Sequence, residues 1–162
     1  MNVQFRGTRG SIPTAQTGTD ITEKVVSALL AARGKDLRSE GQIREFVSAH
    51  LPFHIGSTYG GNTPCVQVDI GSEEYIIFDA GSGIRGLGQE IVKNSPSGNT
   101  IHLFFSHFHF DHIQGLPFFA PAYIPGNRII VHGGHENIES SLCNQMQTPF
   151  FPIDFDSFQA EF

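Results

Sequence analysis

Tryptophan is absent from this chain, and cysteine occurs only twice, as Cys65 and Cys143. Two thiols make no recognisable disulfide framework. Cys65 sits with Val66 and Val68 in an apolar run and reads as a small buried hydrophobe. A disulfide is the weaker reading, and a reducing cytoplasm suits the pair better. Long apolar runs are also missing. The most apolar stretch, Leu116 to Tyr123, is interrupted by Pro117 and Pro121, and a bilayer span needs about 20 residues. The N-terminus passes from Met1 straight into Val3-Gln4-Phe5, without the apolar core of a signal peptide. A soluble protein with no membrane partner is expected. Charge is scarce as well: 16% of residues are charged, with a net charge of −6 and no charge blocks, while 39% are apolar. That balance excludes a disordered chain and gives no basic field, so duplex nucleic acid is a poor partner. A small anionic substrate stays open, because bound cations reverse the local field.

What the chain does have is phenylalanine: 15 residues, clustered at 104–119 and 150–162. Phe118, Phe119, Phe150 and Phe151 read as core or pocket wall. With 162 residues a single domain over 1–162 is expected, able to bury roughly 70% of its extended-chain surface. Strands are expected at 2–5, 65–70, 75–78, 101–105 and 128–132, the second and third forming a hairpin. Asp20-x-x-Glu23 predicts a capping box opening a helix to about Ala32, with Val25, Val26, Leu29 and Leu30 as its apolar face. Ser39-x-x-Gln42 predicts a second helix, closed by Pro52. This pair, at about 20–51, is a helical insertion on a β framework, expected to pack over a sheet edge and shape access to the site. Further helices are expected to about Lys93 and over Asn137 to Met146, and a strand start at Ile153 to Phe158.

Chemistry concentrates in His107-x-His109-x-Asp111-His112, at the end of an apolar strand. In extended backbone His107 and His109 share a side, so both can hold one ion, while Phe108 and Phe110 point the other way and anchor the loop. A bend at Asp111 and His112 could direct both to a second ion. Imidazole and carboxylate donors suit zinc, manganese or iron. No Ser-His-Asp or Cys-His pairing stands out to supply a covalent nucleophile. Gly60-Gly61-Asn62-Thr63 fits either a close backbone approach or a tight turn. Arg9 and Arg85 read as solvated, as do His50, His54 and His102, and His132 and His135 are weak candidates for further ligands.

The block Ser106 to Phe119 around this motif resembles the metallo-β-lactamase superfamily, in its cyclic-phosphodiesterase-like hydrolase branch. Arg6-Gly7-Thr8-Arg9-Gly10-Ser11-Ile12-Pro13, Tyr59-Gly60-Gly61-Asn62-Thr63 and Phe78-Asp79-Ala80-Gly81-Ser82-Gly83-Ile84-Arg85 match in the same order. The resemblance implies an α/β fold, the αββα sandwich, of which this chain would be the N-terminal half. It implies two divalent transition metal ions, zinc first, with His107 and His109 on one and Asp111 and His112 on the other. Asp111 would also orient the attacking water, and Asp79 would fix ligand geometry by hydrogen bonds. The activity implied is metal-dependent hydrolysis of a small-molecule phosphodiester by a metal-bound hydroxide. The alternatives are a non-catalytic metal-binding or regulatory module and a di-iron redox protein on the same fold. Half a sandwich would offer few further ligands and an uncovered apolar face, to be buried against another copy or a missing segment.

Overall fold

The computed structural model describes residues 1–162. In chain order its regular elements are β1 (Asn2–Gly7), α1 (Gly18–Ala31), α2 (Glu40–His50), α3 (Phe53–Gly56), β2 (Cys65–Asp69), β3 (Tyr75–Phe78), α4 (Ile84–Asn94), β4 (Thr100–Phe105), α5 (Phe110–Ile113), β5 (Arg128–Gly133) and α6 (Ile138–Asn144). They fall into two compact units, residues 1–14 with 61–162, and residues 15–60.

The larger unit is built on one mixed sheet in the order β1-β2-β3-β4-β5. β2 and β3 form the expected hairpin, pairing Gln67 with Ile77. Its turn is closed by the Asp69 carboxylate, which accepts from the Gly71 amide at 2.7 Å. β3, β4 and β5 run parallel, which requires crossover connections, and α4 supplies the first. Period-two alternation sends Ile77, Ile101, Leu103, Phe105 and Ile129 to one face, all buried. There they share a core with Ile84, Leu87 and Ile91 of α4 and with Leu116, Phe119, Leu142 and Met146. The apolar positions of α4 recur at helical spacing, and each such side chain contributes about 1.5–3 kcal/mol on burial. The opposite face leaves Val3, Phe5 and Phe78 exposed. This is a mixed α/β architecture compatible with the expected fold, with a single sheet where the expected sandwich has two.

Two elements of this unit depart from expectation. Ile153 to Phe158 does not start a strand. Phe155–Ser157 is a 3-10 turn, because Asp154 accepts from the Ser157 hydroxyl at 3.2 Å and local side-chain bonds compete with a ladder. The turn seats the Phe158 ring against Tyr123, and only Glu161 then bridges to Arg128. α6 is shorter than expected, ending at Asn144.

The smaller unit is helical. The α1 capping box is Thr17 with Asp20, three residues earlier than Asp20 with Glu23. Thr17 Oγ1 accepts from the Asp20 amide at 3.2 Å and the Asp20 carboxylate accepts from the Thr17 amide at 2.8 Å. Asp20 is thus the closing member of the box and not its head, which is the Thr17 hydroxyl three residues before it. The Ser39 and Gln42 box opens α2 as expected. Pro52 both ends that helix and opens the short α3, which the pattern did not reveal. Val25, Val26, Leu29 and Leu30, expected as a packed face, are all exposed. No helix is long and apolar enough to cross a membrane.

Buried polar groups tie the sheet's parallel half together. Asn127, 1% exposed, accepts through Oδ1 from the Asn99 amide and side chain at 3.0 and 2.8 Å. Its Nδ2 donates to the Pro121 carbonyl at 3.0 Å. Removing a buried partner strands several groups at once, so Asn127→Ala is expected to lower unfolding free energy by about 2–4 kcal/mol. Urea denaturation of both proteins measures this, and a loss below about 0.5 kcal/mol, the effect of a surface change, would show that the clamp carries no weight.

Both cysteines are free. Burial pushes the Cys65 thiol up to about 12, and burial also raises Cys143. Since the thiolate is the reactive form, native protein at pH 8 is expected to leave Cys65 unlabelled by a disulfide reagent and to label Cys143 slowly. Both should react after denaturation. Rapid labelling of Cys65 in the folded protein would contradict its place in the core.

Candidate metal centre

β4 delivers the chain to the motif and the bend after it shapes the site. Phe105 is the last strand residue, and His109 keeps extended torsions before α5 turns the backbone. The rings of His107 and His109 lie 4.5 Å apart, centre to centre, and those of His107 and His112 lie 4.0 Å apart. The bend expected at Asp111 is therefore one helical turn, and it folds His112 back beside His107. Phe108 packs against the core and against Phe105 as expected. Phe110 does not: it is 65% exposed, because it is the first residue of the turn and the two-residue alternation has already ended.

Asp79 is the hub. It follows β3 with φ at 61°, a left-handed conformation that Asp tolerates better than most side chains. Its carboxylate accepts from the Ser106 amide at 2.9 Å, from the Ser106 hydroxyl at 2.9 and 2.8 Å, and from His112 Nδ1 at 2.8 Å. A serine has one hydroxyl proton, and the ionised carboxylate can only accept it. Ser106 Oγ is then left to accept from His107 Nδ1, 3.0 Å away. Both His107 and His112 are so assigned as the Nδ1–H tautomer, with Nε2 carrying the free lone pair. On the far side His112 Nε2 lies 3.5 Å from Asp111 Oδ2.

Asp111 is 9% exposed, and its Oδ2 accepts from the Ser11 amide at 2.8 Å. Burial works to raise this carboxyl. The Ser11 amide and the neighbouring His112 and His107 outweigh that, holding it below the ordinary carboxylate range. His107 is lowered, first by desolvation and then by His112 and His109. Both shifts favour the ligating forms, a neutral imidazole and an ionised carboxylate.

Close backbone packing holds this arrangement. The Ala80 amide donates to the His112 carbonyl at 2.7 Å and the Gly115 amide to the Ala80 carbonyl at 2.8 Å. A Cβ at Gly81 would stand 2.4 Å from the Asp111 carbonyl oxygen, and one at Gly115 would stand 2.1 Å from that of Gly81. Only glycine fits at either position. The Gly60-Gly61-Asn62-Thr63 block serves the same packing: Asn62 O accepts from the Thr8 and Arg9 amides, both at 2.9 Å, and Thr63 Oγ1 accepts from the Ser82 amide at 2.7 Å.

The structure thus brings His107, His109, Asp111, His112 and Asp79 into one neighbourhood. No three or more His, Cys, Asp or Glu side chains already stand around a single point as a closed ligand set. Imidazole nitrogens with an ionised carboxylate close by are nevertheless donors whose chemistry suits a divalent transition ion. Ser106 and Ser11 were not foreseen. Ser106 adjoins the motif, which was its one signal, whereas Ser11 stands 100 residues from Asp111 in the chain. His135 reaches the site's margin, its Nε2 3.3 Å from the Ser106 carbonyl oxygen and its ring against Phe108. His132 instead turns to His102, 2.9 Å away, and His102 is half-buried between it and Glu74, not a solvated surface group. Arg85 is exposed on α4.

Residues 58–159 match the family described as the metallo-beta-lactamase superfamily. That span is more than half of the chain, which belongs to this superfamily. Comparison with curated proteins and with solved structures gave no match.

The tautomer assignment is open to direct measurement. Long-range nitrogen–proton NMR spectra of metal-free protein are expected to show Nδ1–H for His107 and His112. Asp79→Ala should return His112 to a tautomer mixture and cost about 2–3 kcal/mol of stability, since Ser106 and His112 lose a charged acceptor. A His112 ring that keeps its tautomer in this variant would remove Asp79 as the hub.

Proposed function

We propose that this member of a superfamily of metal-dependent hydrolases acts on small-molecule phosphodiesters. His107 and His109 would hold one divalent transition ion, and Asp111 and His112 a second. Zinc is the first choice for these donors, with manganese or iron as alternatives. Such ions, when bound, supply water of lowered pKa at neutral pH and positive charge beside the phosphate.

One observation carries the reading: the Nδ1 atoms of His107 and His112 are both engaged around Ser106 and Asp79, and His112 Nε2 lies 3.5 Å from Asp111 Oδ2. The chain's own contribution to the reaction is then positioning and proton control. Asp79 keeps the His112 proton on Nδ1 and restrains the ring. Asp111 is kept ionised, and its tie to the Ser11 amide limits rotation of the carboxylate. A fixed, ionised carboxylate accepts a hydrogen bond from the attacking water and aims it. Cys65 is too strongly protonated to serve as a nucleophile. Two free thiols suit a reducing cytoplasm.

Purified protein is expected to retain a divalent transition metal by mass spectrometry, and His109→Ala to lose most of it. Hydrolysis of bis(4-nitrophenyl) phosphate should be abolished by chelation and restored by zinc. In Asp111→Asn it should fall by about 100-fold or more, the order expected for a lost positioning or proton-accepting group. Retained metal without turnover would favour the non-catalytic binding module, and two irons per chain the redox alternative. Equal metal content in wild type and His109→Ala would overturn the ligand assignment.

A further inference from the structure

A cavity of about 560 Å³ opens on the larger unit, walled by Phe110, Phe118, Phe150 and Phe151 and edged by side-chain amides including Gln114 and Gln145. Its volume lies within the ordinary range for a small-molecule site. Three of these rings are largely exposed, Phe110 at 65%, Phe118 at 54% and Phe150 at 87%. Leaving that much aromatic surface around one hollow in water is unfavourable unless something covers it. Phe118 and Phe151 meet edge to face at 80° with centres 5.6 Å apart, so one ring presents a face and the other an edge to a flat guest.

The amides give the hollow a polar requirement. Gln145 Nε2 is the one buried side-chain nitrogen or oxygen in the chain with no hydrogen-bond partner. An unspent buried donor is costly, and rotation of the side chain can turn this one towards an acceptor in the cavity. Gln114 spends one of its two N–H groups on Thr63 Oγ1 at 3.1 Å, and Asn144 is exposed to water, so Gln145 is the amide whose donor is both buried and unspent. Phe110 and Gln114 stand one helical turn apart and bracket Asp111 and His112 on the same stretch of backbone. The wall of the hollow and the candidate metal ligands are therefore held by one turn of chain.

We propose that this cavity binds a planar heteroaromatic group carrying a hydrogen-bond acceptor, as the ester group of the phosphodiester substrate. The phenylalanines cover its faces and edges and Gln145 donates to its acceptor. The substrate role rests on the hydrolase reading above; ring binding itself does not.

Quinoline and naphthalene have the same shape and differ by one ring nitrogen. Metal-free, chelator-treated protein should bind quinoline about threefold to tenfold more tightly than naphthalene, the worth of one hydrogen bond. NMR shifts should move at Gln145, Phe118 and Phe151. Gln145→Leu should erase the preference while keeping naphthalene binding. Phe118→Ala, at an exposed position that leaves the core intact, should weaken both rings by about threefold to tenfold. His109→Ala should leave ring binding unchanged. In the metal-loaded enzyme, a methyl quinolin-6-yl phosphate diester should show a lower KM than its naphthalen-2-yl counterpart, and Gln145→Leu should close that gap with little change in kcat. No shift at millimolar quinoline, or equal affinity for the two rings, would overturn the proposal and leave hydrolysis of bis(4-nitrophenyl) phosphate as the separate test of the hydrolase reading. Quinoline binding in a protein that hydrolyses no phosphodiester would overturn the substrate role.

Discussion

The Asp79 carboxylate is the point on which the site depends. It sits at the end of β3 in a left-handed conformation and gathers the Ser106 amide, the Ser106 hydroxyl and His112 Nδ1. Those contacts join the ends of two neighbouring parallel strands to the helical turn after the second. Through Ser106 they also set the proton position on His107. An acidic side chain that only accepts therefore decides which nitrogen of two imidazoles is left to face outward. The energetic reason is direct, because a hydrogen bond to a charged acceptor is about twice as strong as a neutral one. A buried carboxylate must also collect such bonds, because burying one without partners is costly.

That hub works only because the backbones beneath it approach closely. Gly81 and Gly115 allow the loop after β3 and the turn after β4 to touch main chain to main chain, and Ala80 exchanges hydrogen bonds with both His112 and Gly115. The loop after β1 completes the arrangement by placing the Ser11 amide on Asp111. Three segments far apart in sequence thus restrain one carboxylate and two rings. A change of a few tenths of an ångström at a glycine would be felt at the imidazoles. The cavity beside α5 draws on the same turn, since Phe110 and Gln114 line it and flank Asp111 and His112.

Much of the fold was legible from local pattern. Alternating apolar residues located all five strands, since a strand buried on one face leaves a period of two. The β2–β3 hairpin followed from its four-residue polar turn. The capping chemistry of the insertion was legible too, although Thr17 rather than Asp20 heads the first box. Two acceptable boxes overlapped there, and pattern alone could not rank them. The tail failed for a related reason: apolar and polar residues alternate from Ile153 to Asp156, yet the Asp154 and Ser157 side chains close a turn before a strand can form.

By itself, the sequence determined that the candidate ligands would lie together, because His107, His109, Asp111 and His112 are neighbours in a short segment at a strand end. It also marked Asp79 as a strand-end acid. What it could not determine was how those groups are oriented. Ser11 reaches Asp111 across 100 residues, Gln145 joins Phe110 around a shared hollow, and Phe110 faces outward because a helical turn begins at it. Spacing along a chain fixes the direction of a side chain only while the backbone repeats. Where strand gives way to turn, the partners that orient each group come from distant segments, and only tertiary packing brings them within hydrogen-bonding range.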